Sequence, residues 1–218
     1  MPPVILLATV PVAASMACAI RAAERGDRRG VYLFKPLTTV LIIAAALLLV
    51  TPARRGYQEL IVAGLVLSLA GDVFLMLPRD RFTAGLVAFL LAHLTYIGAF
   101  TLGVGVRPGQ WPWLLPFALG CGVVFAYLRP SLGRHTVPVA VYVTVIVLMA
   151  WRALARALAP GVTPFSGWVA AAGALVFLVS DSALAINRFR RPFEGAESLV
   201  LSTYWVAQLL IGLSVRGS

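Results

Sequence analysis

The sequence predicts an all-α integral membrane protein with eight transmembrane helices, and three observations support this class. The 218-residue chain is 61% hydrophobic and 12% charged, whereas a soluble domain is about 45–50% apolar and about 25% charged. Its mean hydropathy is +0.93. Its apolar runs approach the roughly 20 residues of a spanning helix and lack the alternation of membrane-barrel strands. A soluble enzyme, a secreted domain and a disordered tail are therefore excluded.

The first four predicted helices are separated by connections that contain Gly, Pro or Arg, as turns do. The first run lacks the positively charged start and the cleavage site of a signal peptide, so we interpret it as a span. In chain order, the spans and the connections that close them are Pro3–Ile20, then Arg21–Gly30; Val31–Val50, then Thr51–Gly56; Leu60–Leu77, then Pro78–Arg81; and Thr83–Val104, then Gly105–Gly109.

The last four predicted helices repeat this pattern of an apolar run closed by turn residues. The connections are too short for a soluble domain, so any chemistry must lie among the helices or in short loops. The elements are Trp111–Leu128, then Arg129–Arg134; Val137–Trp151, then Pro160–Ser166; Gly167–Ile186, then Asn187–Gly195; and finally Leu199–Val215.

The charges are distributed as in a membrane protein. The formal net charge is +10, but the basic residues are scattered and form no continuous stripe, which argues against a nucleic-acid partner. Eleven arginines lie in the odd-numbered connections and six on the other side, so the positive-inside rule places both termini outside the cytoplasm. The preference for Arg over Lys and the many Ala, Val and Leu residues resemble the coding bias of a GC-rich bacterium, so we expect a bacterial cytoplasmic membrane. Arg152 and Arg156 are interpreted as contacts to lipid headgroups.

The two halves of the chain resemble each other weakly. Gly71–Leu75, near the end of the third span, is echoed by Ser180–Leu184 near the end of the seventh. In both halves an Arg-rich turn with a Phe follows, and then a span with a polar residue at mid-membrane. We expect a single transmembrane domain made of two parallel four-helix repeats, 1–106 and 107–218. The alternative is a coincidence between two hydrophobic hairpins.

Ionisable side chains inside a membrane cost about 2.5–3.5 kcal/mol or more at the bilayer centre, so they mark candidate functional positions. Asp72 and Asp181 lie near the ends of two spans that run in the same direction, and Lys35 and Tyr204 lie near the same face. We therefore expect these four side chains to share one pocket, with both carboxylates across one cavity. Alternatively, each Asp only bonds a neighbouring helix, and Lys35 extends to the headgroups.

Two further polar pairs lie inside spans. His93 and Tyr96 share a face of the fourth span, and Tyr204 and Gln208 share a face of the eighth. Such pairs either line a binding site or join helices through hydrogen bonds. A metal held by His93 and the two aspartates is a weak alternative, because the three ligands lie on separate spans without helical spacing. We predict neither a metal nor a cofactor.

Two carboxyl groups in an enclosed pocket suit acid–base catalysis. Burial or a neighbouring charge can keep one of them protonated, while the other stays ionised beside a cation such as Lys35. Such a pair could protonate an acid-labile bond and activate a water molecule against the same substrate. The sequence lacks the G-x-S-x-G, HExxH and Gly-rich phosphate motifs of other enzyme classes.

Five short motifs follow one another at corresponding spans. They are Lys35-Pro36; Gly71-Asp72-Val73-Phe74-Leu75-Met76-Leu77; Phe82 with Gly85-Leu86, Phe89, Ala92-His93 and Tyr96; Ser180-Asp181 with Leu184-Ala185; and Tyr204 with Gln208. Together they resemble the YhhN family of multi-pass membrane proteins, which includes the animal lysoplasmalogenases. The likeness runs from about Lys35 to Gln208, and the number and order of the spans agree.

The resemblance implies hydrolysis of the vinyl ether bond of lysoplasmalogens, which releases a fatty aldehyde and glycerophosphocholine or glycerophosphoethanolamine. We expect Asp72 and Asp181 to be the acid–base pair, as in glycoside hydrolysis, without assigning their individual roles. Lys35 would bind the phosphate or tune the acid–base properties of one aspartate. The residues that would order the water and the headgroup are His93, Tyr96, Tyr204 and Gln208.

The expected partners are a lysophospholipid substrate and the membrane lipids. One alternative is a proton-coupled transporter or flippase of a small amphiphile, since parallel repeats and an acidic pair also suit transport. Another is a structural or lipid-binding membrane protein whose aspartates only join helices. An enzyme would change its lipid covalently, whereas a carrier needs two compartments.

Overall fold

The computed structural model describes residues 3–48, 55–77 and 81–216, with side chains from residue 8 onward. Within these ranges the regular structure is entirely helical, which confirms the all-α class. The α-helices are α1 (Pro3–Glu24), α2 (Arg28–Leu48), α3 (Arg55–Met76), α4 (Phe82–Thr101), α5 (Leu114–Leu132), α6 (Thr136–Ala157), α7 (Pro164–Phe189) and α8 (Ala196–Leu213). Short 3-10 turns, Pro108–Trp113 and Gly133–His135, flank α5.

Six helical stretches in the described part of the chain are long and apolar enough to cross a membrane, as expected of an integral membrane protein. They are Arg28–Leu48, Arg55–Met76, Phe82–Thr101, Pro108–Ala157, Pro164–Phe189 and Ala196–Leu213. One stretch contains both α5 and α6, because helical turns join them without a break, and α1 is not among the six. The predicted eight transmembrane helices are therefore not confirmed. The predicted connections Thr51–Gly56 and Pro78–Arg81 lie largely outside the described residues.

The helices extend beyond the apolar runs, because charged residues continue the helical hydrogen bonding past the hydrophobic segment. α2 begins at Arg28, three residues before the predicted start at Val31, so Lys35 lies about two turns inside it and Pro36 is an internal residue. The first connection shrinks to a few residues. Gly26 follows α1 with a φ of +67°, and Asp27 accepts a backbone hydrogen bond at the start of α2. The hydrophobic pattern thus located the helix but not its first turn.

Small residues let neighbouring helices pack closely, which is the main source of helix association in a membrane. Gly71 of α3 lies against the ring of Phe89 from α4. α7 packs tightly on α8 at Gly173, where an added Cβ would lie 2.9 Å from the carbonyl oxygen of Ala207. These contacts bring the ends of α3 and α7, which carry the two predicted carboxylates, against α4 and α8.

A cluster of aromatic rings fills the centre of the bundle. The Tyr204 ring centroid lies 5.7 Å from that of Phe89 and 5.6 Å from that of Phe177, with the rings nearly perpendicular in both pairs. Edge-to-face contacts of this kind fix ring positions more tightly than aliphatic packing. The Tyr204 hydroxyl group is therefore held at a defined place between α4, α7 and α8.

Replacing Gly173 by Ala is expected to lower the free energy of unfolding by about 1–3 kcal/mol, because the new methyl group would overpack against the backbone of α8. The matched control is Gly120→Ala in α5, where an added Cβ meets no atom within 4 Å. That change should stabilise the helix by up to about 1 kcal/mol. Thermal unfolding in detergent measures both, and equal shifts of the two variants would contradict the close α7–α8 contact.

The two arginines of α6 do not reach the lipid headgroups. Arg152 is 2% exposed and Arg156 is fully buried. Arg152 donates to Oγ1 of Thr101 at 3.1 Å and to Oε1 of Gln110 at 2.8 Å, and the Arg156 guanidinium lies 4.0 Å from the ring centroid of Tyr57. The headgroup interpretation is therefore wrong, because protein acceptors and an aromatic ring take the place of lipid phosphates.

Candidate functional site

A cavity of about 270 Å³ opens at the end of the bundle where α3 and α7 end and where α4 and α8 begin. Its walls combine leucines and phenylalanines with polar groups, among them Tyr204. Five of its lining side chains are charged, namely Lys35, Asp72, Asp181, Arg188 and Glu197. The structure therefore brings the two predicted aspartates, the predicted lysine and Tyr204 into one cavity, as counting residues along each span had suggested.

Asp72 is held by donors from two other helices. Its side chain is almost completely buried, and Oδ2 accepts hydrogen bonds from Thr39 Oγ1 and Tyr204 Oη, each at 2.8 Å. The Lys35 Nζ atom lies 3.8 Å from Oδ1. Two hydroxyl donors and a cation thus face one carboxylate, and these contacts offset part of the cost of burying it.

Asp181 has different neighbours and a different exposure. Its side chain is 17% exposed, against 2% for that of Asp72. Tyr142 Oη donates to Oδ2 at 2.5 Å, and His93 Nε2 lies 3.4 Å from the same oxygen and 3.2 Å from Tyr142 Oη. Tyr142 has a single hydroxyl proton, which it donates to Asp181. We therefore place a proton on Nε2 of His93, so that His93 donates a hydrogen bond to Tyr142 Oη.

A directed chain of hydrogen bonds ends at Asp72. Tyr96 Oη donates to Oε1 of Gln208 at 2.7 Å, Gln208 Nε2 donates to Tyr204 Oη at 3.3 Å, and Tyr204 donates to Asp72. Gln208 and Tyr204 each accept one hydrogen bond and donate the next, so the bonds polarise one another toward the carboxylate. The chain fixes the orientation of the Tyr204 hydroxyl and of the Asp72 oxygen that it contacts.

Three of the predicted binding residues lie behind the cavity wall. His93, Tyr96 and Gln208 are fully buried and are not among the lining residues of the cavity. His93 instead supports the Asp181 side through Tyr142, and the other two support Tyr204. Helical spacing explains this arrangement, because residues three or four positions apart project from one face at successive depths.

The charged lining residues Arg188 and Glu197 were not predicted from the sequence, and neither were two residues that contact the aspartates, Thr39 and Tyr142. Thr39 lies one turn after Lys35 on the same face of α2, so the i, i+4 spacing was an available signal. Tyr142 is a polar aromatic residue inside an otherwise apolar run, which is the same signal that singled out Tyr204. Neither signal identifies a partner, because the sequence does not say which helix each face meets.

An apolar groove adjoins the cavity and shares five lining residues with it: Leu75, Phe82, Phe89, Asp181 and Leu184. Leu86 of α4 and residues of α5, α6 and α7 form the rest of the groove, and Tyr142 is one of its few polar side chains. Its volume is about 70 Å³, about a quarter of that of the polar cavity. Asp181 therefore lies on the border between a polar chamber and a narrow apolar one.

The donor set around the two carboxyl groups suits protons better than a metal ion. Within residues 3–48, 55–77 and 81–216, no group of three or more His, Cys, Asp and Glu side chains is arranged to hold a metal. A lysine faces one carboxylate and a tyrosine hydroxyl binds the other. Such neighbours donate protons or positive charge and would compete with a cation.

The partners of the two aspartates come from corresponding helices of the two halves. Asp72 of α3 is bonded by residues of α2 and α8, and Asp181 of α7 contacts residues of α6 and α4. A repeat that relates α1–α4 to α5–α8 would exchange these two sets. The correspondence supports an internal repeat, which stays a prediction.

Comparison with known families gives one match that covers most of the chain. The sequence model of the YhhN family matches residues 30–215. This range begins near the start of α2 and ends just after α8, so it contains every residue of the cavity. No solved structure matches the chain.

Several curated proteins are similar to the chain over most of its length. It is 37% identical over 183 residues to lysoplasmalogenase TMEM86B of Homo sapiens, which covers 82% of this chain and 73% of the relative. It is 39% identical over 158 residues to lysoplasmalogenase TMEM86A of Bos taurus, which covers 71% of this chain and 64% of that relative. The uncharacterized membrane protein YhhN of Escherichia coli O157:H7 is 26% identical over 206 residues, 93% of this chain and 95% of its own.

Proposed function

The chain belongs to the YhhN family, and on that premise we propose that it is a membrane-embedded enzyme that hydrolyses the vinyl ether bond of lysoplasmalogen-like lysophospholipids. The products are a fatty aldehyde and a glycerophospho-base. The relatives named lysoplasmalogenase support the activity. The observation that carries the proposal is that Asp72 and Asp181 line one cavity at the border between polar and apolar walls.

The charges of the cavity complement a zwitterionic headgroup. Lys35 and Arg188 carry the positive charge that a phosphate needs, and Glu197 carries the negative charge that a choline or ethanolamine nitrogen needs. A lysophospholipid has its ether bond between this headgroup and its single hydrocarbon chain. A headgroup in the polar cavity therefore brings the ether bond toward Asp181, where the apolar groove begins.

In the proposed first step, Asp181 acts as the general acid. Its protonated carboxyl group transfers the proton to the outer carbon of the vinyl ether, and the π electrons form the new C–H bond. The ether oxygen then shares a lone pair with the adjacent carbon, which gives an oxocarbenium ion. Asp181 suits this role because its side chain reaches the cavity, and because Tyr142 can stabilise the carboxylate that is left.

In the second step, Asp72 acts as the general base. It takes a proton from a water molecule whose oxygen bonds to the electrophilic carbon, which gives a hemiacetal. The hemiacetal hydroxyl proton returns to Asp181, the C–O bond to the glycerol breaks, and Asp72 protonates the leaving oxygen. Both carboxyl groups regain their starting states, and the negative charge of Asp72 stabilises the oxocarbenium ion meanwhile.

The buried polar residues act in this scheme by positioning. Tyr96 and Gln208 orient Tyr204 and through it Asp72, while His93 orients Tyr142 and through it Asp181. Lys35 has two functions, since it balances the Asp72 charge at 3.8 Å and lines the cavity beside the expected phosphate. Because these donors are already in place, no free energy is spent on reorienting them when charge develops in the transition state.

We also propose eight membrane crossings, with both termini outside the cytoplasm of a bacterial cell. Arg152 and Arg156 are buried, so the arginines that remain near the membrane surface divide eleven to four in favour of the odd-numbered connections. This stronger bias supports a cytoplasmic location for that side. The polar cavity would then open toward the cytoplasm.

The experiment that tests the function is an aldehyde-release assay. Purified protein in detergent is given a 1-alkenyl lysophospholipid, and the saturated 1-alkyl analogue serves as the matched substrate control. We expect stoichiometric aldehyde and glycerophospho-base from the alkenyl lipid and no product from the alkyl lipid, which has no double bond to protonate. Folded protein that releases no aldehyde, but moves the lipid between leaflets of a vesicle, would favour transport instead.

A further inference from the structure

We propose that the apolar groove beside Asp181 binds the hydrocarbon chain of the substrate, and that the chain reaches it from the bilayer between α4 and α5. The inference rests on the proposed function, because it names where one part of that substrate lies. If the groove binds this chain, its length sets which hydrocarbon chain lengths the protein prefers in its substrate.

Continuity between the groove and the polar cavity is the first argument. The two spaces meet along one wall at Leu75, Leu184 and Asp181. A molecule that occupies both must be charged at one end and apolar at the other, and its polar–apolar junction must lie beside Asp181. A lysophospholipid has this shape, and its ether bond is at that junction.

The second argument is the gap between α4 and α5. These helices are consecutive in the chain and fully described, yet no Cα atom of α4 lies within 8 Å of one in α5. Both nevertheless line the groove, through residues such as Phe89 of α4 and Val124 of α5. The groove therefore lies between two helices that form its walls without packing against each other, and this break in the wall is the entrance that we assign to the chain.

The third argument is the lining and direction of the groove. It extends from Leu128 and Val139 to Cys121 and Ile146, seven residues along each helix, or about 10 Å toward the bilayer centre. Apart from the Asp181 site, its walls are almost entirely apolar. A charged headgroup would lose its hydration there without compensation, whereas a hydrocarbon chain would not.

Two neighbouring valines give a matched test. Val124 lines the groove, whereas Val123 points away from the bundle with 70% of its surface exposed. Val124→Trp should fill the groove, and Val123→Trp adds the same side chain on the outer face. With 1-alkenyl lysophospholipids of increasing chain length, Val124→Trp should lose at least tenfold in kcat/KM for long chains relative to short ones, since contacts in an apolar pocket are worth about 10–200-fold per methylene. Val123→Trp should keep the wild-type ratio.

A second readout does not depend on hydrolysis. A 1-alkyl lysophospholipid with a photoreactive diazirine at the end of its chain is irradiated with each protein, and the labelled residues are found by mass spectrometry. Labels on Cys121, Val124 or Ile146 that disappear in Val124→Trp support the groove. Labels confined to outward residues such as Val123, or an unchanged chain-length ratio in Val124→Trp, would overturn it. Groove labelling without any aldehyde release would instead overturn the proposed reaction and leave the groove standing.

Discussion

Asp181→Asn is expected to reduce aldehyde release by about 10²–10⁴-fold, because an amide cannot deliver a proton to the vinyl carbon and general acid catalysis is worth that much. The substitution keeps the shape of the side chain, and its amide oxygen can still accept the hydrogen bond from Tyr142. Substrate binding should therefore change little. Single-turnover kinetics would locate the loss in the chemical step.

The matched control for this variant is Asp27→Asn. Asp27 is an exposed carboxylate in the connection between α1 and α2, away from the cavity, so its replacement should leave the rate unchanged. A loss of less than about tenfold in folded Asp181→Asn would refute its role as the general acid, since it would fall below the range of such catalysis.

Asp72→Asn should slow the capture of water by about 10²-fold or more, but through a different step. Protonation by Asp181 remains possible in this variant, so the oxocarbenium ion forms and more often reverts to the vinyl ether. In D₂O the outer carbon of this ion carries its original hydrogen and one deuterium, so each ion that loses the hydrogen as it reverts leaves deuterium at the outer vinyl carbon of the recovered substrate. Asp181→Asn should give unreacted substrate without deuterium, because it cannot start the reaction.

A second variant separates this effect from a loss of structure. Removing the Asp72 charge leaves Lys35 in the cavity wall without its carboxylate partner, which costs stability when a charge is buried. The double variant Asp72→Asn/Lys35→Met removes both charges and should recover thermal stability without recovering activity. Deuterium in the substrate recovered from Asp181→Asn, with none from Asp72→Asn, would reverse the assignment of the two carboxyl groups.

The co-location of the two aspartates could be predicted because depth in a membrane follows from counting. A helix rises 1.5 Å per residue, so the distance of a residue from the end of its span fixes its depth once the direction is known. Asp72 and Asp181 lie on spans of one direction, and Lys35 and Tyr204 lie near the same face. The structure brings all four to one cavity.

Counting residues along a span predicts the depth of a side chain, but not its direction, which depends on how the helix is rotated about its own axis. Arg152 and Arg156 lie at the end of an apolar run, so their depth suggested headgroup contacts, but α6 turns both side chains into the protein. For the same reason, the sequence gives the depth of Tyr142 in the membrane but does not show that Asp181 is its partner. Which face of a helix meets which neighbour depends on interhelical packing, and a single sequence does not encode that packing in any local pattern.

The sequence by itself determined that the protein lies in a membrane and that it is helical. It also indicated the candidate catalytic residues, because burying charge in a bilayer is so costly that the few ionisable residues within the spans stand out. The tertiary structure decided how the two carboxyl groups differ. Asp72 is enclosed by Thr39, Tyr204 and Lys35, whereas Asp181 meets Tyr142 and borders an apolar groove. The physical reason is that hydrogen bonds and grooves form between helices distant in the chain, and only their packing sets which groups come into contact.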